Sequence, residues 1–257
     1  MLAPPRVTDY LTRLDLTMGE ASLDAAGLAR LQDAHLRRIP FENLSIHLGE
    51  RISLDDEAIV AKLVDQRRGG FCFEMNGGFA ALLEALGFDV TRLEARVYAD
   101  GRPGIPFDHL CLRVDLDRPY LVDVGFGASF AEPLLLGTDA PQADRNGEFR
   151  IVATPAADGW FDLVQNGVAQ YRFSLAPHDL ADFASACDYH QTSPDSHFTQ
   201  NSLCTLPTAD GRATIAGRLL ITRIGGERTE RIIDDDAELL ALYRSQFGIS
   251  LDRIPAR

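Results

Sequence analysis

The apolar residues of this chain change their repeat near residue 89, and that change restricts it to folds in which a helical segment precedes a sheet. Before it, Leu28, Leu31 and Leu36, then Ile59, Val60, Leu63 and Val64, then Phe79, Leu82, Leu83 and Leu86 fall at helical spacing, which lines one face of each helix with apolar side chains. Beyond it, Leu93, Ala95 and Val97 alternate with polar residues, as do Leu110, Leu112 and Val114, the period of a half-buried strand. Further strands are expected at 120–124, 149–152, 160–164 and 168–173, separated by Gly, Asp and Pro turns. The last third mixes both: a helical pattern at 179–190, a turn at Ser193-Pro194-Asp195-Ser196, hairpins at Asp210-Gly211 and Gly225-Gly226, and a helix opened by Asp234, Asp235 and Asp236 and closed by Gly248. The order predicts an α+β protein packed as one compact body: helices, then an antiparallel sheet or barrel, then a mixed end.

Local signals sharpen the helical part. Ser22 is expected to cap a helix that stops before Pro40, and Ser53 with Asp56 makes a capping-box pattern,. Paired glycines in Arg67-Arg68-Gly69-Gly70 break the second helix, and Gly87 ends the next, which has Cys72 at or near its start,.

The net charge of -13 argues against nucleic acid or an anionic membrane as a partner, because phosphate binding draws on clustered Lys and Arg. A polyphosphate cofactor would need a local basic patch. There is no run of 18 uninterrupted apolar residues, and Met1-Leu2-Ala3-Pro4-Pro5-Arg6 lacks the basic start and apolar stretch of a signal peptide, so a cytoplasmic location is expected,. Lys62 is the only lysine, which argues against lysine catalysis. Cys72, Cys111, Cys187 and Cys204 form no Cys-x-x-Cys pair and read as free thiols in a reducing compartment,.

Among those thiols Cys72 has the setting of a nucleophile: two glycines before it and a helix after it, so that backbone N–H groups and the helix dipole favour a thiolate,. The competing reading is a small buried hydrophobe. Gly77 and Gly78 lie inside a helical pattern, where each costs about 1 kcal/mol relative to alanine, so something must approach that backbone closely. A cysteine nucleophile needs a base and a group to orient it. His109 starts a strand on the face opposite Leu110, Leu112 and Val114, and Asp123 interrupts the apolar run Tyr120-Leu121-Val122-Asp123-Val124, where an unpaired carboxylate would be expensive,. A loop at Asp115-Leu116-Asp117 sets 109 opposite 123; a loop centred on Arg118 offsets them by four residues, roughly 13 Å,. Both registers are open. Cys187, His190, His197 and Cys204 have wide gaps for a zinc site,. Asp55-Asp56-Glu57 and Asp234-Asp235-Asp236 are explained as helix starts, and Arg67-Arg68 as either a solvated pair or an ion pair, with Glu42 as the candidate partner,.

The string Arg68-Gly69-Gly70-Phe71-Cys72-Phe73-Glu74-Met75-Asn76 resembles the active-site signature of the arylamine N-acetyltransferase family. Ile39-Pro40-Phe41-Glu42-Asn43-Leu44 is similar to that family's early motif. His109-Leu110 stands where its histidine strand would, Leu121-Val122-Asp123-Val124-Gly125-Phe126-Gly127 looks like its aspartate segment, and Ser193-Pro194-Asp195-Ser196-His197-Phe198 is similar to a segment near its acceptor pocket. The resemblance runs in order through nearly the whole chain. It implies a helical domain at 1–88, a β-barrel at 89–190, an α/β lid at 191–257 and a cysteine-protease-like Cys72-His109-Asp123 triad. It also implies acetyl-CoA as acyl donor with no metal, and a small aromatic amine or hydrazine as acceptor, met by Phe41, Phe126, Gly127 and Phe198. No residue is assigned to the nucleotide end of coenzyme A. Arylamines and hydrazines suit a ping-pong cycle because they are unprotonated, hence nucleophilic, near neutral pH. Two alternatives stand beside this: an ansamycin-type amide synthase fed by a carrier-protein thioester, and a silent protein that binds coenzyme A or an aromatic ligand. A papain-like protease lies further off, because the Cys-Gly-Ser-Cys-Trp signature is absent and His109 follows Cys72 by only 37 positions (109 minus 72),.

Overall fold

A computed structural model describes residues 2–154 and 159–256 of the chain. The helical part runs as expected through Ala25–Arg38, Asp56–Val60 and Cys72–Leu86, with two further α-helices, Pro4–Arg13 and the short Leu44–Leu48, that the periodicity did not reveal. Both expected serine caps are displaced by aspartate. Asp24 accepts from the Gly27 N–H, and Asp55 from that of Ala58, while Ser22 and Ser53 stand two residues upstream and bond to the aspartates instead. A carboxylate is a stronger acceptor than a hydroxyl and carries the charge that a helix N-terminus favours.

The second helix continues as a π-helical turn, Ala61–Asp65, and ends when Arg67 turns left-handed at φ 51°. Gly69 and Gly70 therefore do not break it. Gly69 is required by close approach, since a Cβ there would lie 1.8 Å from the Pro40 carbonyl oxygen. What approaches Gly77 and Gly78 is the neighbouring helix, through Ile59 and Leu63.

The central sheet has nine strands, eight of them in a single antiparallel path: Leu134–Leu135, Pro119–Val122, His109–Asp115, Asp89–Ala99, Val168–His178, Trp160–Gln165, Gly147–Ala153 and Gln142–Asp144. Its two ends meet through a side chain. Gln142 accepts from the Leu135 N–H at 2.7 Å and donates to the Leu135 carbonyl at 3.0 Å, so one amide mimics a strand partner and nearly closes a barrel. The alternation along His109–Asp115 sorts its side chains between two cores. Leu110, Leu112 and Val114 join the helical core with Phe73, Phe79 and Leu83, whereas Cys111 joins the barrel interior with Leu93, Tyr171 and Phe173.

The register between His109–Asp115 and Pro119–Val122 pairs Leu112 with Val122 and Val114 with Tyr120, two residues from the first expected alignment and two from the second. The strand stops at Val122 because Asp123 Oδ1 accepts from the Gly125 N–H at 2.8 Å, a local turn that competes with the ladder,.

A second antiparallel sheet has the order Phe41–Glu42, Leu203–Pro207, Gly211–Ala216, Leu219–Ile224 and Glu227–Ile232. The hairpins after Pro207 and at Gly225-Gly226 match expectation; a third, between Ala216 and Leu219, was not anticipated. Helix Asp236–Phe247, capped by Asp235 and closed by Gly248, packs Leu239, Tyr243 and Phe247 on this sheet to form a third core. The two-residue strand Phe41–Glu42, too short to show a period, ties the helical segment to it. The fold is thus helices, an antiparallel barrel and an α/β lid. No helix among the described residues is long and apolar enough to cross a membrane.

Candidate active site

Cys72 is the first residue of its helix, and the chain before it is clamped by buried charge. Arg68 pairs with Glu42 at 2.9 Å, and Lys62 with Glu74 at 2.6 Å; Glu42 also accepts from the Leu44 N–H. Burial pushes the Glu42 carboxyl up, yet the Lys62 and Arg68 cations outweigh it and leave it below the ordinary range. Removing one partner from a buried pair costs about 3–5 kcal/mol, so these ions hold the approach to Cys72 in one conformation. Of the two arginines only Arg68 is so engaged; Arg67 is exposed. Lys62 is committed to Glu74 and stands outside the chemistry.

His109 and Asp123 meet. The His109 Nε2–H donates to Asp123 Oδ2 at 2.8 Å, with both residues at most 2% exposed. Asp123 Oδ1 accepts from Asn76 Nδ2 at 2.9 Å as well as from Gly125 N–H. Asn76 in turn donates to the Leu110 carbonyl at 2.6 Å and accepts from the Val124 N–H at 2.9 Å. The carboxylate that sequence marked as expensive is therefore fully satisfied, and its bonds leave Nδ1 as the histidine nitrogen free to take a proton.

Asn76 was not singled out from sequence. Its signal is its place four residues after Cys72, on the same helix face, as a polar residue in a largely apolar helix,.

Cys72 and His109 line one cavity of about 220 Å3, together with Phe41, Phe126, Phe198, Val97, Leu203, Gly125, Asp108, His190 and His197. The three phenylalanines are thus brought together. Gly127 lies outside this cavity, behind Phe41, where a Cβ would stand 3.6 Å from the ring. Gly125 packs directly on the backbone of Cys72, since a Cβ on it would come within 2.8 Å of Cys72 Cα.

Cys72 Sγ lies 4.0 Å from the Asp108 carbonyl oxygen. Burial first, and the Asp108 carboxylate second, push the thiol well above its ordinary range, while the Leu110 N–H pulls the other way. Helix-start stabilisation of a thiolate is therefore opposed by burial and by the Asp108 carboxylate.

The cysteines and histidines considered for zinc are dispersed. His190 bonds Asp108 and Ser196, Cys187 accepts from Gln191, and Cys204 sits in the third core. Among the described residues no group of three or more Cys, His, Asp or Glu is placed to hold a metal. Asp55 and Asp235 act as helix caps.

A cysteine, a histidine and an aspartate gathered between a helical segment and a barrel define a thiol-dependent transferase or hydrolase, and comparison with known proteins separates the two. The N-acetyltransferase family profile matches residues 24–255. A pineal gland arylamine N-acetyltransferase of Gallus gallus is 35% identical, over 95% of this chain and 94% of its own. The arylamine N-acetyltransferase structure of M. smegmatis is 36% identical with a TM-score of 0.86, covering 95% of this chain and 92% of that one. The Mycobacterium marinum enzyme, solved in complex with CoA, is 31% identical with a TM-score of 0.83, covering 95% and 92%. This chain belongs to the arylamine N-acetyltransferase family.

Proposed function

We propose that Cys72 takes the acetyl group of acetyl coenzyme A and passes it to a small aromatic amine or hydrazine, with His109 as its base and Asp123 holding the imidazole. The observation that carries this is the cavity in which a helix-start cysteine shares a wall with a histidine fixed by a buried carboxylate. His109 Nδ1 takes the Cys72 proton, Sγ attacks the thioester carbonyl, and coenzyme A leaves with that proton. The amine then attacks the acyl-cysteine, His109 takes its proton, and the Cys72 thiol is restored. Asp123 and Asn76 keep Nε2 as the donor and Nδ1 as the acceptor throughout,.

Acceptor size supports an arylamine. A cavity of about 220 Å3 walled by Phe41, Phe126 and Phe198 fits one substituted ring and is small beside the roughly 300–1,000 Å3 of sites for drug-sized ligands. That disfavours a macrolactam precursor, and the His109–Asp123 pair speaks against a silent binding protein.

Donor binding is supported by a second, larger cleft. About 550 Å3 in volume, it is lined by Arg37, Arg145, Arg212, Arg223 and Arg228 and bounded by Gly127, Ala128 and Ser129. Arg37 and Arg145 share Asp33, and Arg228 pairs with Glu230. Arg212 and Arg223 stand directly opposite each other across two strands. Like charges so placed repel, and burial together with Arg223 lowers the Arg212 pKa. Phosphates would relieve that repulsion, so we assign the nucleotide end of coenzyme A to these two arginines. Gly127 borders both this cleft and Phe41, which supports a role for it on the route between donor and acceptor.

A reducing, cytoplasmic setting goes with four free, buried cysteines. Of the three expected units, 1–88, 89–190 and 191–257, the barrel at 89–190 encloses a core of its own, whereas the helical core also takes Leu110, Leu112, Val114 and Phe183 and the third core also takes Leu44 and Leu48; Met1 and Arg257 lie outside the described residues. The test is incubation with acetyl coenzyme A followed by intact mass. One acetyl group on Cys72, discharged by an arylhydrazine, is the expected result, with parallel double-reciprocal lines when both substrates are varied. No labelling, or intersecting lines, overturns the covalent route.

A further inference from the structure

Sequence gave no role to Asp108, and His190 entered only as a zinc ligand, yet the two form a second imidazole–carboxylate pair in the cavity wall beside the nucleophile. His190 Nε2 donates to Asp108 Oδ1 at 3.0 Å, and the Val97 N–H donates to Asp108 Oδ2 at 3.0 Å. The Ser196 hydroxyl already accepts from the Phe198 N–H, so its own proton is left for His190 Nδ1, 3.0 Å away. Each of these polar atoms then has a partner, and the network sets the Asp108 carboxylate firmly in the cavity wall,. Both residues line the acceptor cavity, and among the described residues no lysine or arginine does.

We propose that Asp108, held by His190 and Val97, is a charge filter for the acceptor, admitting uncharged or cationic aromatic amines and hydrazines and rejecting those that carry a carboxylate. This rests on the reading of the cavity as the acceptor site. The field of Asp108 reaches the reacting atom, since it is among the influences that raise the Cys72 thiol. Much of the remaining wall is apolar, through Phe41, Val97, Phe126, Phe198 and Leu203, so the carboxylate is poorly screened, and an anionic ring entering would meet no lysine or arginine among the described residues,.

The test uses two matched acceptors, 4-aminobenzoate and its methyl ester, on acetylated enzyme. The ester is bulkier and its amine the weaker nucleophile, so size and intrinsic reactivity both run against the proposal. Acetylation of Cys72 is read first by intact mass; its absence would sink the donor reading rather than this one. With the acetyl-enzyme in hand, kcat/KM should favour the ester by about tenfold or more, as one charge gives across roughly 10 Å at an effective dielectric near 20. In Asp108→Asn the ratio should fall towards one. Taking a ratio cancels any general loss of activity in the variant. Equal use of both acceptors by the wild type, or an unchanged ratio in Asp108→Asn, overturns the filter. If that variant does not fold, protection of wild-type Cys72 from alkylation decides: benzamidine should protect at about tenfold lower concentration than benzoate, and equal protection refutes the idea.

Discussion

The two cavities that meet at Phe41 and Gly127 are built on opposite electrostatic plans. One holds about 220 Å3, is walled by phenylalanines and carries a carboxylate but no lysine or arginine among the described residues; the other holds about 550 Å3 and gathers five arginines in a chain of net charge -13. Net charge thus says little about a site. The acidic total leaves room for a cationic cleft made of residues far apart in sequence. It also suits the proposed ping-pong cycle, because the anionic coenzyme and the arene approach the same sulfur from regions that each disfavour the other.

The largest test removes the point the two regions share. Cys72→Ala should abolish acetyl labelling and turnover while thermal unfolding stays close to wild type; labelling that persists at Cys111, Cys187 or Cys204 would break the comparison at its centre. Next comes Asp123→Asn, which should lower acylation by about 10³–10⁴, the scale for a triad aspartate replaced by its amide. The same variant should raise the pH at which iodoacetamide alkylates Cys72. Burial and Asp108 hold the thiol high, so wild-type reactivity below about pH 8.5 depends on proton transfer to an oriented His109. An unshifted alkylation profile would leave His109 without that role.

A smaller effect separates the cavities directly. Arg212→Met combined with Arg223→Met should reduce kcat/KM for acetyl coenzyme A by about 10–100-fold, the loss of at least one charge-assisted phosphate contact at about 1.5–3 kcal/mol. With an acetyl thioester of N-acetylcysteamine, which has no phosphate, it should change little. Folding stability should hold or rise, since two facing cations are removed; an equal loss with both donors would move the phosphates elsewhere. Smallest is the response to salt. Towards 1 M, where the screening length shrinks to about 3 Å, KM for acetyl coenzyme A should rise several-fold while KM for an uncharged arylhydrazine stays level.

Much of this was legible wherever one residue's neighbours in sequence are also its neighbours in space. The period change placed helices and barrel, and the Gly69-Gly70-Phe71-Cys72 run placed Cys72 at its helix start. Asp123 announced a partner by being polar in an apolar strand, and His109 is that partner. The register eluded sequence because Asp123 makes its own turn, a choice between ladder and side-chain bond that periodicity does not encode. Ser22 and Ser53 misled because an aspartate two residues on competes for the same N–H groups. Asp108 and His190 are 82 positions apart, and Arg37, Arg145, Arg212 and Arg223 come from three regions of the chain. Only tertiary packing makes such groups neighbours, so no local pattern marks them.

The strand Phe41–Glu42 also has a consequence in time. Its partners are Thr205 and Cys204, and Asn43 beside it bonds the backbone at Phe198, Asn201 and Leu203. At a synthesis rate of about 5–20 residues per second, on the order of ten seconds or more separates the making of Phe41 from that of Thr205. Throughout that interval the helices that carry Cys72 have no lid, and the aromatic wall at Phe41 waits unbraced. The pocket is therefore among the last parts of the nascent chain to be sealed, and the thiol that the finished protein buries spends its first seconds open to whatever the ribosome's surroundings contain.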